Sequence, residues 1–442
     1  MSKNASQTAD AMPGDDASSR VVASRGLSAS PDANWRGDGE DAQGGGYGDL
    51  GVGHESRHRH ERARVVSIVS RVRSFVRRVP RIVGRPSLSP SLALASRAVV
   101  VMDRAFASDS AAARACETSV LDVSRVAGVS TVTRAYAAYP VKTLTPKRVR
   151  SDDCDCAWAY VVNMGGGLVS GDASGTRARV EDGCALVLVT QGTQKVYKHN
   201  KRRWEDVSAG DAPGVDGERV GETVSALYAS VGRDALFASL PDPTQVFANA
   251  VFRQTQAIDV RAGGSCVCVD WLTSGRVGYG NERWLFERAE TRTRVTVDDK
   301  PVVVEAVRLR SSSSTEGAMV NGNRSLAEKM GAVNVFATLI VLGPRVETLA
   351  KSCAEWARAR ARECMRGRGA AWVLEPPESV KDDPTCIFVT ASELEEEIHG
   401  ANGVVVRFFA ANTECVYDAL REILAPLESD IGAPPYAERG LS

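Results

Sequence analysis

One stretch of the 442-residue sequence, Gly165 to Lys198, is dense in residues that can do chemistry. The run Gly165-Gly166-Gly167 is followed by Gly171 and Asp172, then by an apolar run, then by Thr190, Gln191, Thr193, Gln194 and Lys195. Glycine-rich loops let backbone N–H groups approach a phosphate, which raises a nucleotide site and with it an enzyme. Against that, no Gly-Lys-Ser/Thr follows, the next element reads as a strand over Thr176–Val180, and Asp172 would repel a phosphate. The structural use fits the pattern better, because glycines permit positive φ or a close approach of backbone between β layers. A second glycine-punctuated loop, Ser274–Glu282, brings one arginine, Arg276, and one acid, Glu282.

The polar run Thr190–Lys195 directly follows Cys184–Val189, which is apolar at every position and so expected to be buried on both faces. Each buried polar group left unpaired costs ~1–3 kcal/mol. Two arrangements satisfy these side chains, an internal hydrogen-bond network or a wetted groove or tunnel, and Asp172 and Lys195 can pair in either. Isolated carboxylates, amides and water hold a divalent cation weakly, whereas thiolate and imidazole clusters hold it tightly.

No tight metal site is expected. Cys154-x-Cys156 and Cys266-x-Cys268 lack the spacing of structural zinc. Cys266 and Cys268 share one face of an apolar strand and read as small core residues; Cys154 and Cys156 lie in an acidic loop. His54, His58 and His60 sit together in a basic N-terminal segment, and the remaining histidines, His199 and His399, belong to no nucleophile–His–acid pattern.

The elements that position these residues are mostly strands. From Cys116 the chain runs through Val120–Val123, Val129–Arg134, Trp158–Val162, Thr176–Val180, Cys184–Val189, Val224–Val231, Ala235–Leu240, Phe252–Val260, Ser265–Leu272, Trp284–Arg288, Arg292–Val297 and Val302–Leu309. Residues 205–221 and Ser311–Ser325 read as loops. The C-terminal part changes class. It has a strand at Val333–Leu342, a helix over Val346–Arg366, a short helix capped by Ser392 with Glu395 completing a capping box, a strand at Val404–Phe409, and a last helix from Thr413. The tail Gly432–Tyr436 is extended, and with the exposed arginines of Val346–Arg366 it is a candidate partner surface. The whole is α+β, with the β part dominant.

Residues 1–115 form a separate expected region. Residues 1–55 are too rich in Gly, Ser, Ala and Asp to bury a core. Residues 57–97 hold eleven arginines against one acid, Glu61, with valines and isoleucine at helical spacing, the signature of a disordered tail or of a targeting or membrane-surface helix. The net charge of the chain is zero, but the body from Cys116 onward is mildly acidic, with 38 Lys+Arg and 43 Asp+Glu, a poor footprint for nucleic acid. With ten cysteines, no CxxC and no signal-peptide pattern, a reduced, cytoplasmic setting is expected, organelle targeting through residues 57–97 being the alternative. No apolar run approaches the ~20 residues of a membrane-spanning helix.

An ordered series of motifs spans about residues 116–436: AYPVKTLTP (138–146), YVVNMGGGLVSGD (160–172), LVTQGTQKVYK (188–198), LPDPTQVFANAVFRQTQAIDV (240–260), DWLTSGRVGYGNERWLFER (270–288), NVFATLIVLG (334–343) and IGAPPY (431–436). The series resembles urease accessory proteins of the UreD (UreH) family. The resemblance implies a β-helix-like stack of strands with helices toward the C-terminus. It also implies a non-catalytic role: binding urease apoprotein together with UreF-type and GTPase UreG-type partners, and helping to deliver nickel, which the chain would hold only in transit, by way of a water-filled passage. Carried over by motif, Asp172, Gln191, Lys195, Arg276 and Glu282 are the candidate nickel-passage residues. Ser170 stands where many relatives have another glycine, and Gly280-Asn281 shifts Glu282 by one residue from Arg276.

Overall fold

The computed structural model describes residues 109–146, 154–200, 221–311, 325–367, 387–396 and 400–437. The expected disordered and Arg-rich segments, the N-terminal histidines, residues 205–220 of the first loop and 312–324 of the second lie outside the described residues.

Asp182-Gly183 is a tight turn between β5 (Ala173–Val180) and β6 (Ala185–Thr190). The same short connection recurs at Arg233-Asp234, between β8 (Thr223–Val231) and β9 (Leu236–Leu240), and at Ala262-Gly263, between β11 (Val251–Val260) and β12 (Ser265–Thr273). These turns stack: Gly183 N donates to Arg233 O at 2.8 Å and Asp234 N to Gly263 O at 3.2 Å. After each turn the chain crosses from one sheet to the other. Thus β5, β8, β11 and β13 (Arg288–Val297) are parallel neighbours in one sheet, while β4 (Ala157–Asn163), β6, β9 and β12 are parallel neighbours in the second. This is a β-helix-like stack with one strand per sheet in each coil.

Antiparallel strands extend both sheets. The first, of seven strands, adds β14 (Lys300–Arg310) beyond β13 and the hairpin of β1 (Ser119–Val126) and β2 (Val129–Ala137) beside β5. The second adds β3 (Val141–Leu144) next to β4 and, beyond β12, β15 (Val335–Leu342), β17 (Gly403–Ala410) and β16 (Ile387–Leu394). Two short strands, β7 (Gln194–Val196) and β10 (Thr244–Val246), pair with each other, and β10 pairs with β12.

Between the sheets, near the tight turns, the interior is apolar: Ala178, Leu186, Phe237, Ile258, Cys266 and Val295 are wholly buried. Outside the second sheet lie α2 (Glu347–Gly367) and α3 (Thr413–Leu424). The i, i+4 series Leu349, Cys353 and Ala357 of α2 meets Val416, Leu420 and Ile423 of α3 and the outer row Val404, Val406 and Phe408. Asn412 caps α3 through the Cys415 N–H at 2.9 Å. The strand-dominated body with its C-terminal strand–helix part is the α+β pattern expected.

Three expectations are corrected. Residues 110–115, assigned above to the extension, form α1 (Ser110–Ala115), whose buried Ala111, Ala112 and Ala115 cover Val224, Ala226 and Tyr228 of β8. Ala257 of β11 packs in the same cluster, and with the core on the other face Phe252–Val260 is mostly buried on both sides. Trp284–Arg288 is not a strand up to Glu287: Trp284 has φ of +54°, and its ring is anchored by donation from Nε1 to Val333 O at 2.8 Å. Ser392 does not cap a helix but lies inside β16, directly opposite Val405, because pairing with β17 outweighs the local S-x-x-E pattern.

Candidate functional site

The four connections opposite the tight turns are long, and they carry the motif residues. They run from β4 to β5 (residues 164–172), from β6 to β8 (191–222), from β9 to β11 (241–250) and from β12 to β13 (274–287). The first begins with a single 3-10 turn at Met164–Gly166, where Gly165 and Gly166 have φ of +76° and +77°. Gly167 is extended, and a Cβ there would lie 2.6 Å from Lys195 O, so the glycine run both turns the chain and presses it against β7. A strand follows, not a helix, so no helix N-terminus faces this loop.

Under these loops, between the sheets, the inward rows change from apolar to polar. On β5 the inward side chains go from Val180 and Ala178 to Thr176 and Ser174; on β11 they go from Val260 and Ile258 to Gln256 and Gln254. The result is a cavity of about 470 Å³, well beyond the ~10–15 Å³ that one water needs. Its mouth is formed by the exposed residues Gln191, Thr193 and Lys195 with Gly166 and Gly167, and its interior by Gln254, Gln256 and Asp270.

Asp270, on β12, is one of two acids that line this cavity. Its Oδ1 accepts from Gln254 Nε2 at 2.6 Å and its Oδ2 from Thr293 Oγ1 at 3.1 Å, both from the opposite sheet. Burial pushes its carboxyl up to about 6, against the opposing pull of those two hydrogen bonds. Sequence reasoning passed over this residue. Its signal was a lone acid in the otherwise apolar run Ser265–Leu272, which must find polar partners once the strand is buried.

A second acid, Asp242, braces the mouth. Its Oδ2 accepts from Gly192 N at 2.7 Å and Thr190 Oγ1 at 3.1 Å, and its Oδ1 from Tyr417 Oη of α3 at 2.9 Å. Beside it, Trp271 Nε1 and Tyr436 Oη both donate to Pro241 O, at 2.8 and 3.1 Å, and the rings of Trp271, Tyr417 and Tyr436 meet edge to face. The Gly432–Tyr436 tail therefore packs Tyr436 onto the body.

The five motif residues are not one cluster. Gln191 and Lys195 stand at the mouth. Asp172 lies outside the cavity lining and closes its own turn, Oδ2 accepting from Val169 N at 2.9 Å; among the described residues no ion pair joins it to Lys195. Arg276 and Glu282 pair with each other, Nε to Oε2 at 2.7 Å, in the β12–β13 loop. Glu282 also accepts from Ala248 N, and the Arg276 guanidinium stacks between Phe247 and Tyr279, 4.5 Å from each ring centre. Gly171 has φ of +86° in the turn before Asp172.

Among the described residues no group of three or more His, Cys, Asp and Glu side chains is placed to hold a metal ion. Cys266 and Cys268 are core residues, Cys156 is buried, and Cys154 is half-buried with its thiol donating to Asp430 O at 3.3 Å. His199 shares its Nδ1 between Ser170 Oγ and Gly221 O, each at 3.1 Å. No helix among the described residues is long and apolar enough to cross a membrane.

The sequence matches the family described as UreD urease accessory protein over residues 115–440. It is 34% identical over 335 residues to "Urease accessory protein D" of Oryza sativa subsp. japonica, covering 76% of this chain and 99% of that one. It is 31% identical over 319 residues to "Urease accessory protein D" of Arabidopsis thaliana, covering 71% and 98%. To "Urease accessory protein UreD" of Sorangium cellulosum it is 33% identical over 316 residues, covering 72% and 82%. The chain thus belongs to the UreD family of urease accessory proteins.

Proposed function

We propose that this chain is a non-catalytic urease maturation factor that binds urease apoprotein with UreF- and UreG-type partners and passes nickel through its polar interior. The observation that carries the reading is Asp270: one carboxylate facing a cavity, held by an amide and a hydroxyl, with further amides and hydroxyls between it and the mouth. Such a set suits a cation in transit. Oxygen donors without thiolate or imidazole bind Ni²⁺ weakly enough to release it, and a cation beside Asp270 offsets the burial that raises its carboxyl.

The role of the five motif residues follows from where they stand. Gln191 and Lys195 form the entrance, while Asp172, Arg276 and Glu282 fix the loops around it. Nickel is cargo in this reading, and no resident cofactor is required.

The test is a reconstituted activation of apo-urease with nickel and bicarbonate. Activation should depend on this chain and fall at least fivefold at limiting nickel for Asp270→Asn, with co-purification of urease and partners unchanged. The alternative is a scaffold without a metal route, in which Asp270 only ties β11 and β13 to β12. It predicts activation by Asp270→Asn equal to that of the parent chain, and that result would remove the nickel reading.

A further inference from the structure

Inward-facing side chains line the cavity at two levels. Nearer the mouth the polar groups satisfy one another: Gln254 donates to Asp270 at 2.6 Å, and Ser174 Oγ donates to Asn163 Oδ1 at 3.3 Å. The level nearer the apolar rows differs. In the first sheet Thr176 pairs with Leu227 and Leu227 with Gln256; in the second, Ser239 stands between Leu188 and Cys268. Thr176, Ser239 and Gln256 are 4%, 4% and 6% exposed, and all of them line the cavity. Their hydroxyls and carboxamide make no hydrogen bond to another protein group among the described residues.

A buried polar group without a partner is unfavourable, and several on facing walls of one cavity call for an occupant. The groups define that occupant by what they offer. Gln256 presents two N–H donors and a carbonyl, and each hydroxyl presents one donor and two lone pairs. Gln254 spends an N–H on Asp270, so its Oε1 remains as an acceptor. Asp270 and Asp242 line the same space and repel an anion. A cation is served by the acceptors alone and leaves the Gln256 N–H groups unpaired. An apolar molecule leaves every group unpaired. An uncharged molecule with both donors and acceptors pairs with them all; a primary amide can exchange hydrogen bonds head to tail with the Gln256 carboxamide. The cavity of about 470 Å³ admits a molecule the size of acetamide or glycerol through the mouth at Gln191 and Thr193.

We propose that the inner end of the cavity, at Gln256, Thr176 and Ser239, binds a small uncharged solute of the amide or polyol class, one that both donates and accepts hydrogen bonds. The site goes beyond the nickel reading and stands without it, because its groups pair with the solute and not with a metal. A solute held by Gln256 of the first sheet and Ser239 of the second bridges the two sheets at a level where no side-chain bond between these residues does so.

The metal-free, full-length protein tests it, titrated with acetamide, glycerol and acetate and followed by saturation-transfer NMR of the small molecule. Acetamide, glycerol or both should give a saturable signal, and the probe that does assigns the class. Acetate has the shape of acetamide with a negative charge and should bind at least tenfold more weakly. Gln256→Leu and Ser239→Ala should each weaken binding of the neutral probe at least fivefold. Gln256→Leu should also melt no lower than the parent chain, because an unpaired buried amide gives way to an apolar group of similar size. If Gln256→Leu does not fold, Ser239→Ala decides. Absence of saturable binding by both neutral probes would mean that water alone fills the cavity, and it overturns the proposal. Acetate binding as tightly as the neutral probes overturns it as well, and so does undiminished binding by the variants, which places the solute elsewhere. No metal enters the assay, so its failure leaves the nickel reading untouched, and activation by Asp270→Asn equal to the parent's leaves the solute site standing.

Discussion

Gln254 Nε2 donates to Asp270 Oδ1 at 2.6 Å, joining the two sheets across the floor of the cavity. Burial, opposed by this bond and by the one from Thr293, raises the folded-state carboxyl of Asp270 from its ordinary 3.8 to about 6. Because the folded pKa is raised, the charged form is the destabilised one. The penalty is absent below about 3.8, grows as the pH rises through the interval, and is fully present above about 6. Two units correspond to ~2–3 kcal/mol, the lower figure allowing for screening by water in the cavity.

Asp270→Asn should therefore raise the melting temperature at pH 7.5 and leave it nearly unchanged at pH 4. The asparagine oxygen still accepts from Gln254, and its amide donates to the Thr293 hydroxyl, so neither partner is orphaned. Thermal melts across this range check the sign, and a variant less stable than its parent at pH 7.5 would refute it.

Truncation should reveal where the body begins. Asp109 accepts from Ala112 N at 2.9 Å and Thr255 Oγ1 at 3.0 Å and pairs with Arg253, while α1 covers Tyr228 and Ala226. A chain starting at Asp109 should melt like the full protein's body. One starting at Glu117 loses the cap, an ion pair and the alanine face, and should be less stable by roughly 2–4 kcal/mol. Equal urea midpoints for the two would show that α1 contributes nothing.

The order of strands was readable because burial writes itself into composition. Runs such as Cys184–Val189, apolar at every position, are what a stack covered on both sides demands. The site was harder. Asp172 drew attention by standing next to the glycine run, yet it closes a turn, while Asp270 was hidden inside an apolar strand and gains its meaning only from Gln254 and Thr293, 16 and 23 residues away. Ser392 and Trp284 failed for the same reason: the partners that decide their conformation, β17 and Val333, are remote in sequence.

The glycine run separates two kinds of substitution. A Cβ on Gly167 would meet the Lys195 carbonyl at 2.6 Å and the Tyr197 ring at 2.7 Å, and backbone cannot swing aside as a side-chain end can. Gly167→Ala should cost ~1–3 kcal/mol and displace β7 at the cavity mouth. Gly192 has φ of +79° with open space around it, so Gly192→Ala should cost only ~1–2 kcal/mol of backbone strain. Urea denaturation gives both values. Activation assays should show the larger defect for Gly167→Ala, and the reverse order would contradict the packing argument.

Tyr417 and Asp242 tie the C-terminal helix to the mouth. The Tyr417 hydroxyl donates to Asp242 Oδ1 at 2.9 Å, and the other oxygen of Asp242 holds Gly192 N and Thr190 Oγ1. A hydrogen bond to a charged acceptor contributes ~1.5–3 kcal/mol, and partial exposure puts this one at the low end. Tyr417→Phe keeps the ring against Trp271, 4.7 Å between centres, so it removes the hydroxyl alone and should cost about 1–2 kcal/mol. Asp242→Asn retains an acceptor for Gly192 N but loses charge toward all three partners, and should cost more. Because the two changes share one bond, their effects should fall short of additivity by about 1 kcal/mol in a double-mutant cycle. If α3 does steady the mouth, Tyr417→Phe should also speed hydrogen exchange at Gly192 N without altering exchange in the stacked turns Asp182-Gly183 and Ala262-Gly263. Additive stabilities together with unchanged exchange at Gly192 would mean that α3 covers the sheet but does not hold the mouth.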